Sequence, residues 1–190
     1  MKHLLFISLF LLIFTSSFGQ QENPLKGKYL LVIDIQDCFL NKVDDSTRTN
    51  LIAEVNAAIK QADPEKVIYI QSILRTLSIT KKGFQVDTVA NLDFAKELSM
   101  VNQTIFTKIK PNSFSNAEFA NYLKEHQAKE IVLAGLMAEH CVSATALGGL
   151  AEGYQVLLLP NAIIGKTEAD KAKALKKMKK KGVKDFPVAP

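Results

Sequence analysis

The chain has 190 residues, of which 47% are hydrophobic and 23% are charged, a balance that excludes a disordered protein. This length favours a single domain that buries a core without disulfides or a metal, and two cysteines are too few for a disulfide scaffold. The formal net charge is +5. Much of the positive charge lies in residues 166–184, which contain nine lysines.

The N-terminal segment differs from the rest of the chain. A short positive start precedes an almost wholly apolar run over residues 4–14, and small and polar residues follow. This is the layout of a secretory signal peptide, and it is too short for a transmembrane helix. We therefore predict a signal peptide over residues 1–19, a mature domain over residues 20–190, and export to the periplasm or the medium. The alternative is a buried N-terminal helix.

Five short apolar runs are nearly continuous, as strands that are covered on both faces require. Helical patterns separate them, and this alternation indicates βαβ units. The sequence therefore predicts one three-layer α/β/α sandwich with a mainly parallel sheet of five or six strands. The predicted strands are residues 29–33, 67–70, 104–107, 131–134 and 156–159.

Four helices are predicted between and after these strands. The first follows Ser46, and the second begins at Ser115, because Ser115 and Glu118 form the capping-box pattern. The third spans about residues 141–152, and the fourth is the lysine-rich helix that begins after Thr167. An apolar stripe on the fourth helix lets it dock on the core, so we interpret its lysines as a solvated face. No aromatic residues interleave with them, and we predict no nucleic-acid partner.

Residues 72–92 have weak periodicity, and we interpret them as a long loop. Loops of this length are often functional. Arg75 is the obvious charged residue that such a loop could offer to a ligand.

In open α/β sheets, sites form at the carboxyl ends of strands, and three such positions carry reactive side chains. Asp34 ends the first strand, where a carboxylate is costly to bury unless it is paired. Lys108 ends the third, with Lys110 as a competing cation. Cys141 follows the fourth strand at a helix start, where the dipole and free N–H groups favour the thiolate and could bind an oxyanion. The ordinary alternatives are a capping carboxylate, a surface lysine and a small buried hydrophobe.

A nucleophilic cysteine needs a base, and histidine is the usual one. His126 looks exposed at the end of a helix. His140 is the neighbour of Cys141 in sequence, so the two side chains point in different directions. A carboxylate base must therefore be considered, and Asp34 lies on a neighbouring strand end.

The three positions lie in motifs that resemble those of the isochorismatase-like cysteine hydrolases, in the same order along the chain. The first is similar to the family's Asp-x-Gln-x-x-Phe, the second to its Lys-x-x-x-x-[Ser/Ala]-Phe, and the third to its Gly-x-x-Thr-x-x-Cys-Val-x-x-Thr-Ala. The resemblance spans residues 29–162 and implies a Rossmann-like isochorismatase fold. The matching residues are Asp34-Ile35-Gln36 with Phe39, Lys108 with Phe114, and Gly135-Leu136 with Glu139-His140-Cys141-Val142 and Thr145-Ala146.

The resemblance also implies roles. Asp34 would accept the thiol proton and later activate water, Lys108 would hold the geometry and share charge, and Cys141 would attack a carbonyl to form an acyl-enzyme. The backbone N–H groups of Cys141 and Met137 would bind the oxyanion, with a cis peptide bond before Met137. The substrate-binding candidates are Phe39, Arg75, Phe114 and Ala138, with Gly83, Phe84 and Gln85 as further possibilities.

Departures from the family limit what transfers. Nicotinamidases of the family bind a metal with an Asp and histidines after the second strand, whereas residues 72–92 contain no histidine. We therefore predict no metal and no cofactor. The family's Thr before the nucleophile is Ala138 here, so substrate identity does not transfer. Cys38 is the second thiol, and both a bridge to Cys141 and simple packing stay open for it.

We predict a hydrolase acting on a small-molecule amide, ureide or related C–N bond. Two alternatives are a non-catalytic relative that binds a small molecule or protein, and an isochorismate-type vinyl-ether hydrolase that would not need the thiol. We expect no membrane association once the signal peptide is removed, and homo-oligomerisation is compatible with the sequence.

Overall fold

The computed structural model describes residues 24–80, 83–88 and 92–187, and the predicted signal peptide lies outside them. Within these residues, no helix has the length and apolar character needed to cross a membrane. Short 3₁₀ turns occupy Pro64–Lys66 and Ser113–Ser115, and a π-helical turn occupies Ala138–Val142. The strands and helices are β1 Tyr29–Ile33, α1 Asp37–Leu40, α2 Asp45–Gln61, β2 Val67–Ser72, β3 Arg75–Thr80, β4 Gly83–Thr88, β5 Ile105–Lys108, α3 Ala117–Glu125, β6 Glu130–Leu136, α4 Ser143–Ala151, β7 Gln155–Ile164, α5 Glu168–Lys180 and β8 Lys184–Asp185.

Six strands form one sheet in the order β5-β2-β1-β6-β7-β8, and every neighbouring pair is parallel. β1 lies inside the sheet, and all five of its residues are buried. This burial explains why its sequence is continuously apolar rather than alternating. The sixth strand, β8, has only two residues, which is why apolar patterning did not predict it.

Helices cover both faces of the sheet, so the predicted three-layer sandwich is confirmed. Alternate residues of a strand point to opposite faces. Leu30 and Val32 of β1 pack in the core beneath α2, and Leu31 and Ile33 pack in the core beneath α3, α4 and α5. The helix residues in these cores include Leu51, Val55 and Ile59 on the first side and Phe119, Leu123, Ala146 and Met178 on the second.

The prediction of a long loop over residues 72–92 is wrong. β3 and β4 form an antiparallel hairpin that is separate from the main sheet, with Ile79 opposite Phe84 and Leu77 opposite Val86. Apolar residues alternate with polar ones along both strands, which is the pattern of a half-covered strand. The alternation is short and rich in threonine and serine, so the sequence pattern alone does not indicate two strands.

Two predicted helix starts need correction, and a third holds. The cap of α3 is Asn116 rather than Ser115: its side chain accepts the N–H groups of Glu118 at 2.8 Å and Phe119 at 3.2 Å. The helix expected from residue 141 begins instead as the π-helical turn at Ala138, and α4 continues it. Thr167 caps α5 as predicted, by accepting the Asp170 N–H at 3.1 Å.

Candidate active site

Polar residues converge at the carboxyl edge of the sheet. Asp34 follows β1 in the left-handed region with φ of 58°, a conformation that aspartate tolerates better than most residues. Lys108 ends β5, and Cys141 lies in the π-helical turn after β6. Gly135 in β6 has φ of 126°, and a side chain there would collide with the carbonyl of Ile33. The two central strands can therefore approach closely just before the site.

The ammonium group of Lys108 joins the reactive side chains. Its Nζ donates to Asp34 Oδ2 at 2.8 Å, to Ser72 Oγ at 2.6 Å and to Cys141 Sγ at 3.2 Å. An ammonium has three N–H donors, so these three acceptors use all of them. The side chains of Lys108 and Asp34 are 1% and 2% exposed, which makes this a buried ion pair. Such a pair tolerates burial only when further hydrogen bonds satisfy its remaining groups.

The thiol of Cys141 is protonated at neutral pH. Its pKa is raised to about 11: burial raises it most, the negative charge of Asp34 also raises it, and Lys108 lowers it. Burial therefore opposes the thiolate that a helix start was expected to favour. A nucleophile in this state needs a base at the moment of attack.

Other groups that could have served as the base lie elsewhere. His140 is exposed, although it is adjacent to Cys141 in sequence. Glu139 directs Oε1 to the backbone N–H of Lys166 at 2.9 Å, which ties the π-helical turn to the segment before α5. Asp34 is the carboxylate whose charge and hydrogen bond act on the Cys141 thiol.

The backbone before Cys141 contains the cis peptide bond that the resemblance implied. The peptide bond between Leu136 and Met137 is cis. The carbonyl of Met137 accepts the N–H groups of His140 at 2.9 Å and Val142 at 3.2 Å, which closes the turn that carries Cys141.

The substrate-binding candidates fall into two groups. Phe39 packs against the core beneath α2, Phe114 lies 5.0 Å from Phe119 between ring centroids, and Ala138 is 0% exposed. All three pack into the cores on either side of the sheet, and their role in substrate binding stays a prediction. Arg75 is exposed at the start of β3, and Phe84 of β4 is 76% exposed. Gly83 and Gln85 lie on the same strand as Phe84.

Two buried polar residues belong to the site although their roles were not predicted. Ser72 is 8% exposed at the end of β2, and its Oγ donates to Asp34 Oδ1 at 3.0 Å. Gln36 is 0% exposed, and its side chain binds both backbone groups of Ser72. The rule that sites form at strand ends could have found Ser72. The predicted strand stopped at residue 70, and this boundary hid it.

Both cysteines carry free thiols. Cys38 lies in α1 and is partly buried, and burial raises its pKa above the ordinary value. No bridge joins the two sulfur atoms in this structure, and both alternatives for Cys38 stay open. Within the described residues, no group of three or more His, Cys, Asp or Glu side chains could hold a metal ion. The ligand set of the metal-dependent relatives is therefore not assembled in this part of the chain, and no catalytic step is assigned to a metal.

The fold is thus a parallel α/β/α sandwich that brings a lysine, a carboxylate and a thiol together at the carboxyl ends of its strands. A family model described as the isochorismatase domain matches residues 28–184. An isochorismatase family protein of Bacillus subtilis, YrdC, is 31% identical over 142 residues, which cover 71% of this chain and 72% of that protein. The chain belongs to the isochorismatase family.

Other similarities extend over less of the sequence or concern the fold alone. Isochorismatase family protein 2A of Dictyostelium discoideum is 34% identical over 87 residues, which are 45% of this chain and only 43% of that protein. An isochorismatase-like hydrolase from Alkaliphilus metalliredigens has a TM-score of 0.67 at 22% identity, covering 85% of this chain and 94% of that one. The pyrazinamidase of Pyrococcus horikoshii, solved with zinc, has a TM-score of 0.65 at 22% identity, covering 87% and 100%.

Proposed function

We propose that the mature protein hydrolyses a small amide or a related C–N bond through an acyl-enzyme on Cys141. The observation that carries this proposal is the Lys108 ammonium, which contacts the Asp34 carboxylate at 2.8 Å and the Cys141 thiol at 3.2 Å, with Asp34 and Lys108 themselves buried. A buried carboxylate beside a protonated thiol is a base beside a nucleophile.

In the first half of the proposed reaction, Asp34 accepts the thiol proton while Cys141 Sγ attacks the substrate carbonyl. The backbone N–H groups of Met137 and Cys141 stabilise the oxyanion. The tetrahedral intermediate then expels the amine, which receives from Asp34 the proton that the thiol gave up. A thioester remains on Cys141.

In the second half, Asp34 takes a proton from water, and the hydroxide equivalent attacks the thioester. The acid leaves, and the thiolate of Cys141 recovers the proton from Asp34. Lys108 stays protonated throughout and balances the charge that moves between Asp34 and Cys141. The amine thus leaves with the proton that came from the thiol, a proton from water replaces it on Cys141, and Asp34 ends the cycle as the carboxylate it began as.

A carboxamide is the first substrate class to test, because the pyrazinamidase that shares this fold acts on one by name. The experiment is a panel of small amides and ureides with the purified mature protein. Turnover should be lost in Cys141→Ala and retained in Cys38→Ser, a matched change at the other thiol. Turnover of a vinyl ether that survives Cys141→Ala would favour the isochorismate-type reaction. Binding without turnover by any substrate would favour a non-catalytic relative.

We also propose export, on the basis of the apolar run over residues 4–14 and the polar residues that follow it. Protein expressed with its native N terminus should appear outside the cytoplasm and begin near Gln20 by N-terminal mass mapping. An intact Met1 on a protein retained in the cytoplasm would contradict export.

Self-association is the third part of the proposal. In the described part of the chain, the large apolar side chains that are exposed all lie on the hairpin, on β5 or beside it, and β5 is a free edge of the sheet. Soluble monomers rarely expose large contiguous apolar patches. The exposed apolar side chains are Ile79, Phe84, Val86, Val101, Ile105 and Ile109. Sedimentation should show an oligomer that the double substitution Phe84→Ser and Ile109→Ser disrupts. A wild-type protein that is monomeric at micromolar concentration would contradict self-association.

A further inference from the structure

Ser72 lies inside the charged cluster rather than beside it. Its Oγ accepts from Lys108 Nζ at 2.6 Å and donates to Asp34 Oδ1 at 3.0 Å. Lys108 in turn donates to the other carboxylate oxygen, Oδ2, at 2.8 Å. The three residues thus close a ring in which each charged group has one bond to its ionic partner and one to the hydroxyl.

The direction of these bonds is fixed by chemistry. A lysine ammonium can only donate, so the serine oxygen must accept from it. The single hydroxyl hydrogen of Ser72 is therefore free to point at Asp34 Oδ1. One hydroxyl consequently stabilises both charged forms, the ammonium as an acceptor and the carboxylate as a donor.

Gln36 fixes the place of this hydroxyl. Its Oε1 accepts the Ser72 N–H at 2.7 Å, and its Nε2 donates to the Ser72 carbonyl at 3.1 Å. The same Nε2 donates to the Leu92 carbonyl at 2.5 Å, beyond the hairpin. The side chain of Gln36 therefore pairs with Ser72 as a neighbouring strand would, and it holds the Ser72 backbone on the Asp34 side.

We propose that Ser72 is a positioning residue that keeps Asp34 and Lys108 ionised over the working pH range of the site. This deepens the proposed function and rests on it for its catalytic meaning. In a site that is almost closed to water, an ion pair competes with the neutral pair made when the proton moves from the ammonium to the carboxylate. Ser72 favours the ion pair at both ends, and the reaction needs Asp34 as carboxylate and Lys108 as ammonium.

The other titratable groups near the pair are few. Cys141 contacts Lys108 from the π-helical turn, and Cys38 of α1 is close enough to Asp34 for their charges to interact. Both are thiols that burial keeps protonated at neutral pH. The Ser72 hydroxyl, by contrast, is a neutral group that contacts both charges of the pair.

Ser72→Ala tests this without any substrate. The Lys108 ammonium is followed by ¹H–¹⁵N NMR against pH, and the Asp34 carboxyl by ¹³C NMR, with signals assigned by their loss in Lys108→Met and Asp34→Asn. The pH window in which both groups are charged should narrow from both sides, by about one pH unit at each side, as the loss of a hydrogen bond to a charged group predicts. Once a substrate is known, the pH–rate profile should narrow in the same way.

Two further variants keep the test decisive. Ser72→Thr retains the hydroxyl and should keep the wild-type pH window. If Ser72→Ala does not fold, Ser72→Cys, which has nearly the shape of serine, takes its place and should narrow the pH window. Ser113→Ala is the matched control. It removes a buried hydroxyl that contacts the Thr145 hydroxyl at 2.9 Å and does not contact the ion pair. An unchanged window in Ser72→Ala, or an equal change in Ser113→Ala, overturns the assignment. The NMR window does not depend on catalysis, so its result stands even if no amide is turned over.

Discussion

Lysine occurs in two contrasting regions of this molecule. Lys108 is 1% exposed and uses three donors on three side chains. Most lysines of α5 are exposed to solvent; Lys179, for example, pairs with Asp185 at 2.7 Å, and both side chains are about half exposed, 47% and 41%. An exposed ion pair contributes little because water screens it, whereas a buried charge depends entirely on its partners. The comparison teaches that the number of lysines in a segment indicates little about their importance.

Lys108→Met should have the largest effect on stability. It leaves the Asp34 carboxylate buried without its cation, and breaking such a pair costs roughly 3–5 kcal/mol in the free energy of unfolding. Denaturant unfolding measures this. Lys108→Met with Asp34→Asn should be less destabilised than Lys108→Met alone, because the double variant buries no charge. A double variant as unstable as the sum of the single ones would show that the two charges do not interact.

Asp34→Asn should lower kcat by at least about 10²-fold with the fold intact, in line with the loss of a general base. The measurement is steady-state turnover on the amide found in the panel, with circular dichroism as the check on folding. Asp37→Asn is the matched control, since Asp37 is an aspartate three residues away that pairs with Arg48 at 2.8 Å outside the cluster. Turnover close to wild type in Asp34→Asn would assign the base to another group.

The buried cluster was predicted in part, because its chemistry is tied to strand ends. Asp34 and Lys108 end strands, Cys141 follows one, and a continuous apolar run is enough to locate such a strand. Ser72 was missed because β2 ends in Gln71 and Ser72, which are too polar to read as strand. That extension depends on pairing with β5, where Gln71 and Ser72 lie opposite Thr107 and Lys108. Pairing is a tertiary contact that a single strand's composition does not reveal.

The protonation of Cys141 could not be predicted for a related reason. Sequence indicates a helix start, which lowers a thiol pKa, and it does not indicate how far the sulfur is removed from water. Burial decides the balance and raises the pKa to about 11. The hairpin shows the same limit on a larger scale, because the polar residues of β3 and β4 hid a strand pattern that pairing makes evident.

Alkylation of Cys141 tests the protonation directly. Below its pKa of about 11 the group is a neutral thiol. The rate with iodoacetamide should therefore rise about tenfold for each pH unit between pH 7 and pH 10 without a plateau, because only the thiolate reacts. Peptide mass mapping in a Cys38→Ser background isolates the rate at Cys141. Asp34→Asn should accelerate alkylation, since the charge of Asp34 raises this pKa. A plateau near pH 8 would show that the thiol is not desolvated.

The smallest effect is expected on the lysine-rich face. Lys180→Met removes an exposed charge from the last turn of α5, and in the described part of the chain Lys180 makes no ion pair. The substitution matches Lys108→Met in chemistry and differs from it in burial and in the absence of an ion-pair partner. We expect the denaturation midpoint and kcat to stay at their wild-type values, because the side chain loses no buried partner. A drop comparable to that of Lys108→Met would mean that α5 depends on its lysines for docking. The contrast between the two regions would then reflect the position of the charge in the fold rather than its exposure to water.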